Sequence, residues 1–448
     1  MSPESAVMRG LEQQLEKVIP YTPTVGADLG FRAEDNHVLA LELYNQGLIS
    51  LPESFENLKK LEWLSLRGNK LNSLPESLLR LTNLQTLSLS GNQLSALPES
   101  LGNLQNLQEL HLGDNQLQTL PESLGQLVNL QRLDLDYNQL RTLPESFGQL
   151  QNLITLDLDN NQLRTLPELF GQLTQLIHLE LQQNELQTLP ETFGQLSNLQ
   201  ILLLQENKLR TLPESFGQLQ NLIDLELQGN KLRTLPESFG QLRSLQTLLL
   251  YNNQLRTLPE SFGQLSNLEE LYLGDNQLQT LPESFGNLRN LKELYLHGNQ
   301  LSILPESFGQ LTQLIHLELQ QNELQTLPET FSNLSNLLCL EIQYNLLRTL
   351  PESSGYLTNL RVLRFKGNPL AGTLALFWLG QTRSNFHKFL SSTSLFDHPL
   401  VRDLDPSSLH PLPQGWCPFC GTWGIVVGLE KQSGKKRVFC ARCELKIS

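Results

Sequence analysis

Cysteine is scarce in this chain: five occur in 448 residues, none before Cys339 and four after Trp416. No disulfide can tie the first 338 residues together, and this points to a reducing, cytoplasmic compartment. No apolar run approaches the ~20 residues a membrane helix needs. Residues 1–20 also lack the basic start and apolar core of a secretory signal. Cations are in the minority, 32 Lys and Arg against 46 Asp and Glu, giving a net charge of −14 and a pI near 5.1. That balance disfavours general affinity for nucleic acid or anionic membrane. No GxxxxGK[ST], GxSxG or HExxH pattern occurs, and Ser433-Gly434-Lys435 lacks the upstream glycine of a phosphate loop.

What the chain has instead is a period. The proline of a TLPES-like signature falls at Pro52, Pro75, Pro98, Pro121 and Pro144 and continues to Pro351, every 23 residues without insertion or deletion. Fourteen asparagines keep the same beat from Asn69 to Asn368, and Gln46 holds that position in one earlier copy. Fifteen repeats over residues 38–368 predict a solenoid, because no single copy can bury its apolar side alone.

One copy, Asn138 to Asn160, shows what each position does. Leu133 and Leu135 alternate with period two, so a short strand buries both on one face. Asn138 stands where the chain turns, and its amide suits a buried ladder linking neighbouring turns. Pro144 fits the first position of a helical or 3₁₀ turn, where its missing N–H costs nothing, and Glu145 lies at the positive end of that turn. Phe147 points inward; nine consecutive copies to Phe331 predict a stacked spine. Gly148 is expected to relax the turn.

On these residues, LxxLxLxxNxL followed by LPESFGQL, the chain resembles the leucine-rich repeat family in its 23-residue intracellular form with an LP turn. It is similar to Ras-group-related plant proteins and Scribble-like scaffolds. The resemblance implies an α/β solenoid, a curved horseshoe with a parallel sheet on its concave face, that binds proteins there. The x positions beside the buried leucines face that surface, and rungs ~4.8 Å apart turn each position into a column. The columns place Asp134, Asp136, Asp157, Asp159, His178, Glu180, Ile201, Leu203, Asp224, Glu226, Leu249, Tyr251, Glu270, Tyr272, Glu293 and Tyr295 together as the partner-binding surface. Aromatic anchors bordered by charge suit a protein partner with basic and apolar residues. Asp134 and Asp157 are expected to point to water. The outer side reads as structural, its glutamate row partly offset by arginines such as Arg141 and Arg348.

Two constellations carry residue types of other chemistries. Glu293, His316 and Cys339 occupy one column on three successive rungs, the residue types of a thiol nucleophile, its base and an acid, but nothing supplies a walled cleft or an oxyanion hole. Asp134, Asp136, Asp157 and Asp159 set four carboxylates on two rungs, donors suited to calcium, yet a flat strand face wraps an ion poorly. The chain is read as having no catalytic site and no small-molecule substrate.

The ends depart from the period. Residues 1–37 form a helical cap, in which Val7, Leu11, Leu15 and Val18 make one apolar stripe. Residues 369–390 give a C-terminal cap helix, and 391–415 a linker rich in Ser, Asp, His and Pro. Residues 416–448 carry Cys417, Cys420, Cys440 and Cys443 as two CxxC knuckles around a hairpin that turns at Ser433-Gly434. This segment resembles a zinc ribbon holding one structural zinc ion; two disulfides or a redox pair are the alternatives. It has six cations against two acids, a net +4. A nucleic-acid-associated adaptor, using that basic ribbon, is therefore the alternative function.

Overall fold

The computed structural model describes residues 3–24, 26, 28–351, 354, 357 and 359–369, together with the backbone of three strands between residues 426 and 447. The chain divides into two units, Met1–Lys231 and Leu232–Ser448.

The first unit opens with helix α1 (Pro3–Leu15), which buries Val7 and Leu11. Its Glu4 carboxylate accepts the Val38 N–H at 2.8 Å and contacts His37 Nδ1 at 2.9 Å, fastening the helix to the first repeat. The helix ends at Leu15, and Glu16 takes the left-handed φ of 51°. The predicted stripe consequently fails at its last member. Val18 is 78% exposed, and Ile19 is buried in its stead. The cap is also not purely helical: strand β1 (Leu29–Glu34) pairs antiparallel with β2 (His37–Leu43), the strand of the first repeat.

From β2 onward the first unit adds one parallel strand per repeat, in chain order, to Asp224–Glu226. Each strand after β2 is three residues long with a buried central leucine, and the register never slips: Leu133 lies opposite Leu110 on one side and Leu156 on the other. The second unit repeats this from Thr247–Leu249 to Val362–Arg364. It also contains an antiparallel sheet of Val426–Gln432, Lys435–Cys440 and Leu445–Ile447. The hairpin predicted around Ser433-Gly434 is therefore present. Cys417, Cys420 and Cys443, the cap helix and the linker lie outside the described residues, and Cys440 is described only as backbone.

The asparagines do form a ladder. Asn138 Oδ1 accepts the Leu117 N–H of the preceding repeat at 2.9 Å. Its Nδ2 donates to the carbonyls of Leu112, Leu135 and Asp136 at 3.0–3.1 Å. The side chain is 7% exposed, so losing these partners strands buried polar groups at about 1–3 kcal/mol each. The residue before every ladder asparagine is left-handed, a glycine at Gly91 or Gly229 but Tyr137, Gln183 and Glu206 elsewhere. A side chain there is costly, and the ladder holds it.

Opposite the strands, each repeat makes a 3₁₀ turn such as Glu145–Gln149. Pro144 is extended (φ −67°, ψ 152°), so it sits just before the turn rather than at its first position; its carbonyl accepts the Phe147 N–H at 3.0 Å. Phe147, Phe170, Phe193 and Phe216 stack in the first unit with centroids 6.1–6.3 Å apart. Phe239 to Phe331 stack the same way in the second. Gly148 is required by crowding rather than by turn freedom. A Cβ there would lie 2.4 Å from the Leu169 carbonyl oxygen.

Phe262 is fully buried between two parallel rings. Phe262→Ala is expected to cost about 3–5 kcal/mol through the cavity it leaves; an unchanged urea midpoint would show that the spine does not carry the packing.

Candidate functional site

Alternation along three-residue strands leaves the residues on either side of the central leucine on the open face of the sheet. All sixteen predicted surface residues lie on that face, and all are half-buried rather than free in water. Asp134, for which outward pointing was expected, keeps only 23% side-chain exposure.

In the first unit, strand register sets Asp134 beside Asp157 and Asp157 beside Glu180. Carboxylate oxygens of Asp134, Asp136 and Asp157 lie within 4.8 Å of one another, as do those of Asp157, Asp159 and Glu180. Such crowding is relieved by protons. Burial opposes the Asp134 carboxylate, but hydrogen bonds from His111 and Asp136 outweigh it and hold its pKa below the usual range. Asp136 is pushed up to about 8, by burial first and then by sharing a proton with Asp134. Asp157 rises to about 7, by burial and by the charges of Glu180, Asp159 and Asp134. Glu180 is lowered first by the His178 imidazole, whose Nε2 lies 3.0 Å from its Oε1. Gln182 Nε2 donates to Glu180 Oε2 at 2.9 Å and to Asp159 Oδ2 at 3.2 Å. At neutral pH Asp134 and Glu180 are thus ionised while Asp136 is mainly protonated, so the four aspartates do not share charge evenly. Further along, Asp224 and Glu226 lie in register with Ile201 and Leu203.

In the second unit, Leu249, Tyr272 and Tyr295 follow one another in one column, with Glu270 beside Glu293 in the next. The Tyr272 and Tyr295 rings stack at 4.3 Å with an 8° tilt, and the His316 ring lies 5.0 Å beyond Tyr295. Tyr295 Oη donates to Glu293 Oε2 at 2.9 Å, and Tyr272 Oη reaches Glu270 at 3.4 Å. Both phenols are raised, by burial first and then by these carboxylates. Tyr251 is half-buried on the same face.

The column of Glu293, His316 and Cys339 assembles only in part: His316 is hydrogen-bonded to Cys339, but Glu293 is bonded elsewhere. Glu293 is engaged by Tyr295, and His316 turns to Glu318, 3.1 Å away. Hydrogen bonds with Cys339 and Glu318 raise His316 to about 10, so it is cationic at neutral pH. Glu318 is held well below the carboxylate range by His297 and then His316; His297 Nδ1 lies 3.3 Å from its Oε2. Column reading missed Glu318 as the hub of this face. The signal was there in principle, since His297 and His316 flank it at offsets of −21 and −2.

A family model described as a leucine-rich repeat region matches residues 36–139 and 224–302. Shorter leucine-rich repeat models match 142–186, 167–209 and 129–150. No curated protein matches the chain. Among solved structures, a leucine-rich repeat protein of Leptospira interrogans is 39% identical over 75% of this chain and 92% of its own, with a TM-score of 0.65. PEPR1, solved with AtPEP1, is 30% identical over 82% of this chain and 55% of its own, TM-score 0.68. The Drosophila Toll–Spatzle complex is matched at 27% over 69% of this chain and 47% of that one, TM-score 0.57. No described helix is long and apolar enough to cross a membrane.

The raised carboxyls make a pH test. A carboxyl with a raised folded pKa stabilises the fold fully below its unfolded value of ~3.9, and that contribution is lost as pH climbs through the folded value. For Asp157 and Asp136 the loss begins near the unfolded value of ~3.9 and is complete at about pH 7 and about pH 8. His297 and His316 in the second unit lose stability in the same direction, so the readout is a difference between proteins. Asp136→Asn/Asp157→Asn should melt close to wild type near pH 4 and increasingly above it as pH rises to 8. Parallel melting curves across that range would refute the assignment.

Proposed function

The chain belongs to the leucine-rich repeat family, and from that premise we propose that it is a non-enzymatic scaffold that binds protein on the exposed face of its strands. Its strict 23-residue LP-turn repeat supports kinship with the Ras-group-related and Scribble-like kind as part of this reading. Proteins of this fold act as interaction modules; PEPR1 and Toll, both similar to this chain, were solved in complexes with AtPEP1 and Spatzle.

The observation that carries this reading is the Tyr272–Tyr295–His316 stack bordered by Glu270, Glu293 and Glu318. Flat rings with few rotamers give contact area at low entropic cost, and the rimming carboxylates favour a cationic residue beside the apolar one. In the first unit, Asp134 and Glu180 supply ionised carboxylates for a basic partner surface. A cytoplasmic setting accords with the absence of cysteine before Cys339. Small-molecule substrates and membranes form no part of this reading.

The C-terminal Cys417, Cys420, Cys440 and Cys443 form a donor set that fits one closed, structural zinc site. By their CxxC spacing in the sequence, four thiolates would fill a tetrahedral site and leave no open coordination position. With so short a segment, metal would supply most of its folding energy. Its net +4 charge is the feature that favours the nucleic-acid-associated adaptor as a second reading.

Two tests follow. Affinity capture with wild type beside Tyr272→Ala/Tyr295→Ala should recover proteins that depend on those rings, with complex lifetimes shortened by about 1–2 kcal/mol per tyrosine. Asp134→Asn/Glu180→Gln should mainly slow association at low salt. Identical capture profiles from both proteins would contradict the strand-face reading. For the ribbon, Cys420→Ser should lose bound zinc and make residues 416–448 protease-sensitive. Wild type without zinc, its four cysteines resisting alkylation until reduced, would establish disulfides instead; a salt-sensitive shift of labelled RNA by the intact chain would favour the adaptor.

A further inference from the structure

A second surface lies on the flank of the second unit, at the proline turns. After each proline stands a glutamate, from Glu237 and Glu260 through Glu283, Glu306 and Glu329. Three residues before each proline stand Arg233, Arg256 and Arg348, the first two donating to Gln254 and Gln277 of the next repeat, but Gln279, Ser302 and Gln325 interrupt that row. A groove of about 650 Å³ opens along this interruption. Its lining includes the carboxylates Glu283, Glu306 and Glu329 beside Ile303, Thr326 and Leu350, and no cation. Ile303 is 57% exposed, at a position where Thr280 and Thr326 stand in the adjacent copies. An apolar side chain replacing threonine in the stretch of this unit that lacks arginine is not needed for packing, since the leucine and proline beside it are already buried.

We propose that this groove is a docking site for a cationic peptide segment carrying an apolar side chain, separate from the strand face. The apolar residue packs on Ile303 between the exposed turns, and flanking lysines or arginines meet Glu283 and Glu306. Anionic membranes and nucleic acid are repelled by the same carboxylates. Each exposed ion pair contributes little, so the apolar anchor sets affinity and the carboxylates set orientation and salt sensitivity.

The test uses the full chain and a fluorescein-labelled peptide of sequence Lys-Leu-Lys-Lys-Leu-Lys, followed by anisotropy at low and high salt. Ser302→Arg/Ile303→Thr restores the Arg-Thr pair that Arg256-Thr257 carries in the same position, so the fold is undisturbed. The double variant should weaken binding by about tenfold or more, equivalent to about 1.4 kcal/mol, and replacing both leucines of the peptide by serine should weaken it similarly. The proposal is overturned if the wild type does not bind, or if the double variant binds equally. It is also overturned if binding is lost through Asp134→Asn/Glu180→Gln, which would place the peptide on the strand face.

Discussion

The amide of the ladder asparagine is the interaction on which the structure depends. A solenoid has no closed core, so every repeat must satisfy its turn against its neighbour or leave buried backbone groups without partners. Asn138 meets that demand with one side chain, accepting from the preceding repeat and donating to carbonyls of two repeats. Because its bonds reach 21 and 26 residues away, an insertion in any copy would break the register on both sides. The invariance of the 23-residue spacing is thus a physical requirement, and it frees the surface positions to vary.

Packing behind the ladder is equally repetitive. Stacked phenylalanines and central leucines bury the same area in each copy, so stability accrues by nearest-neighbour contact. Specificity has to reside where the repeats differ: the aspartates and histidines of the first unit, the tyrosine–histidine stack of the second, and the gap in the arginine row.

Periodicity made the strands, the ladder and the phenylalanine spine legible, because identical residues at fixed spacing must occupy identical environments. Features that depend on pairing across distance or on local burial were not legible. Strand β1 finds its partner only once the first repeat is folded, and Val18 loses its place to Ile19 because the helix stops at Leu15. Tyr137 and Gln183 take a left-handed backbone that their residue types do not advertise. Gly148 reads as a turn residue until the next repeat is seen against it. In the candidate site, the columns were placed correctly but their chemistry was not. Half-burial protonates Asp136 and brings Asp157 to titrate at about 7, and a diagonal contact hands His316 to Glu318 rather than to Glu293.

The central claim is that this chain holds a protein partner against the tyrosine stack of its exposed strands. The most direct measurement replaces Tyr272 with a photoreactive benzophenone amino acid, and Leu169 likewise as a control away from the strands, and irradiates each protein in cell extract. The account predicts a discrete protein adduct at position 272 and none at position 169. Adducts of equal yield at both positions, or only at 169, would contradict it.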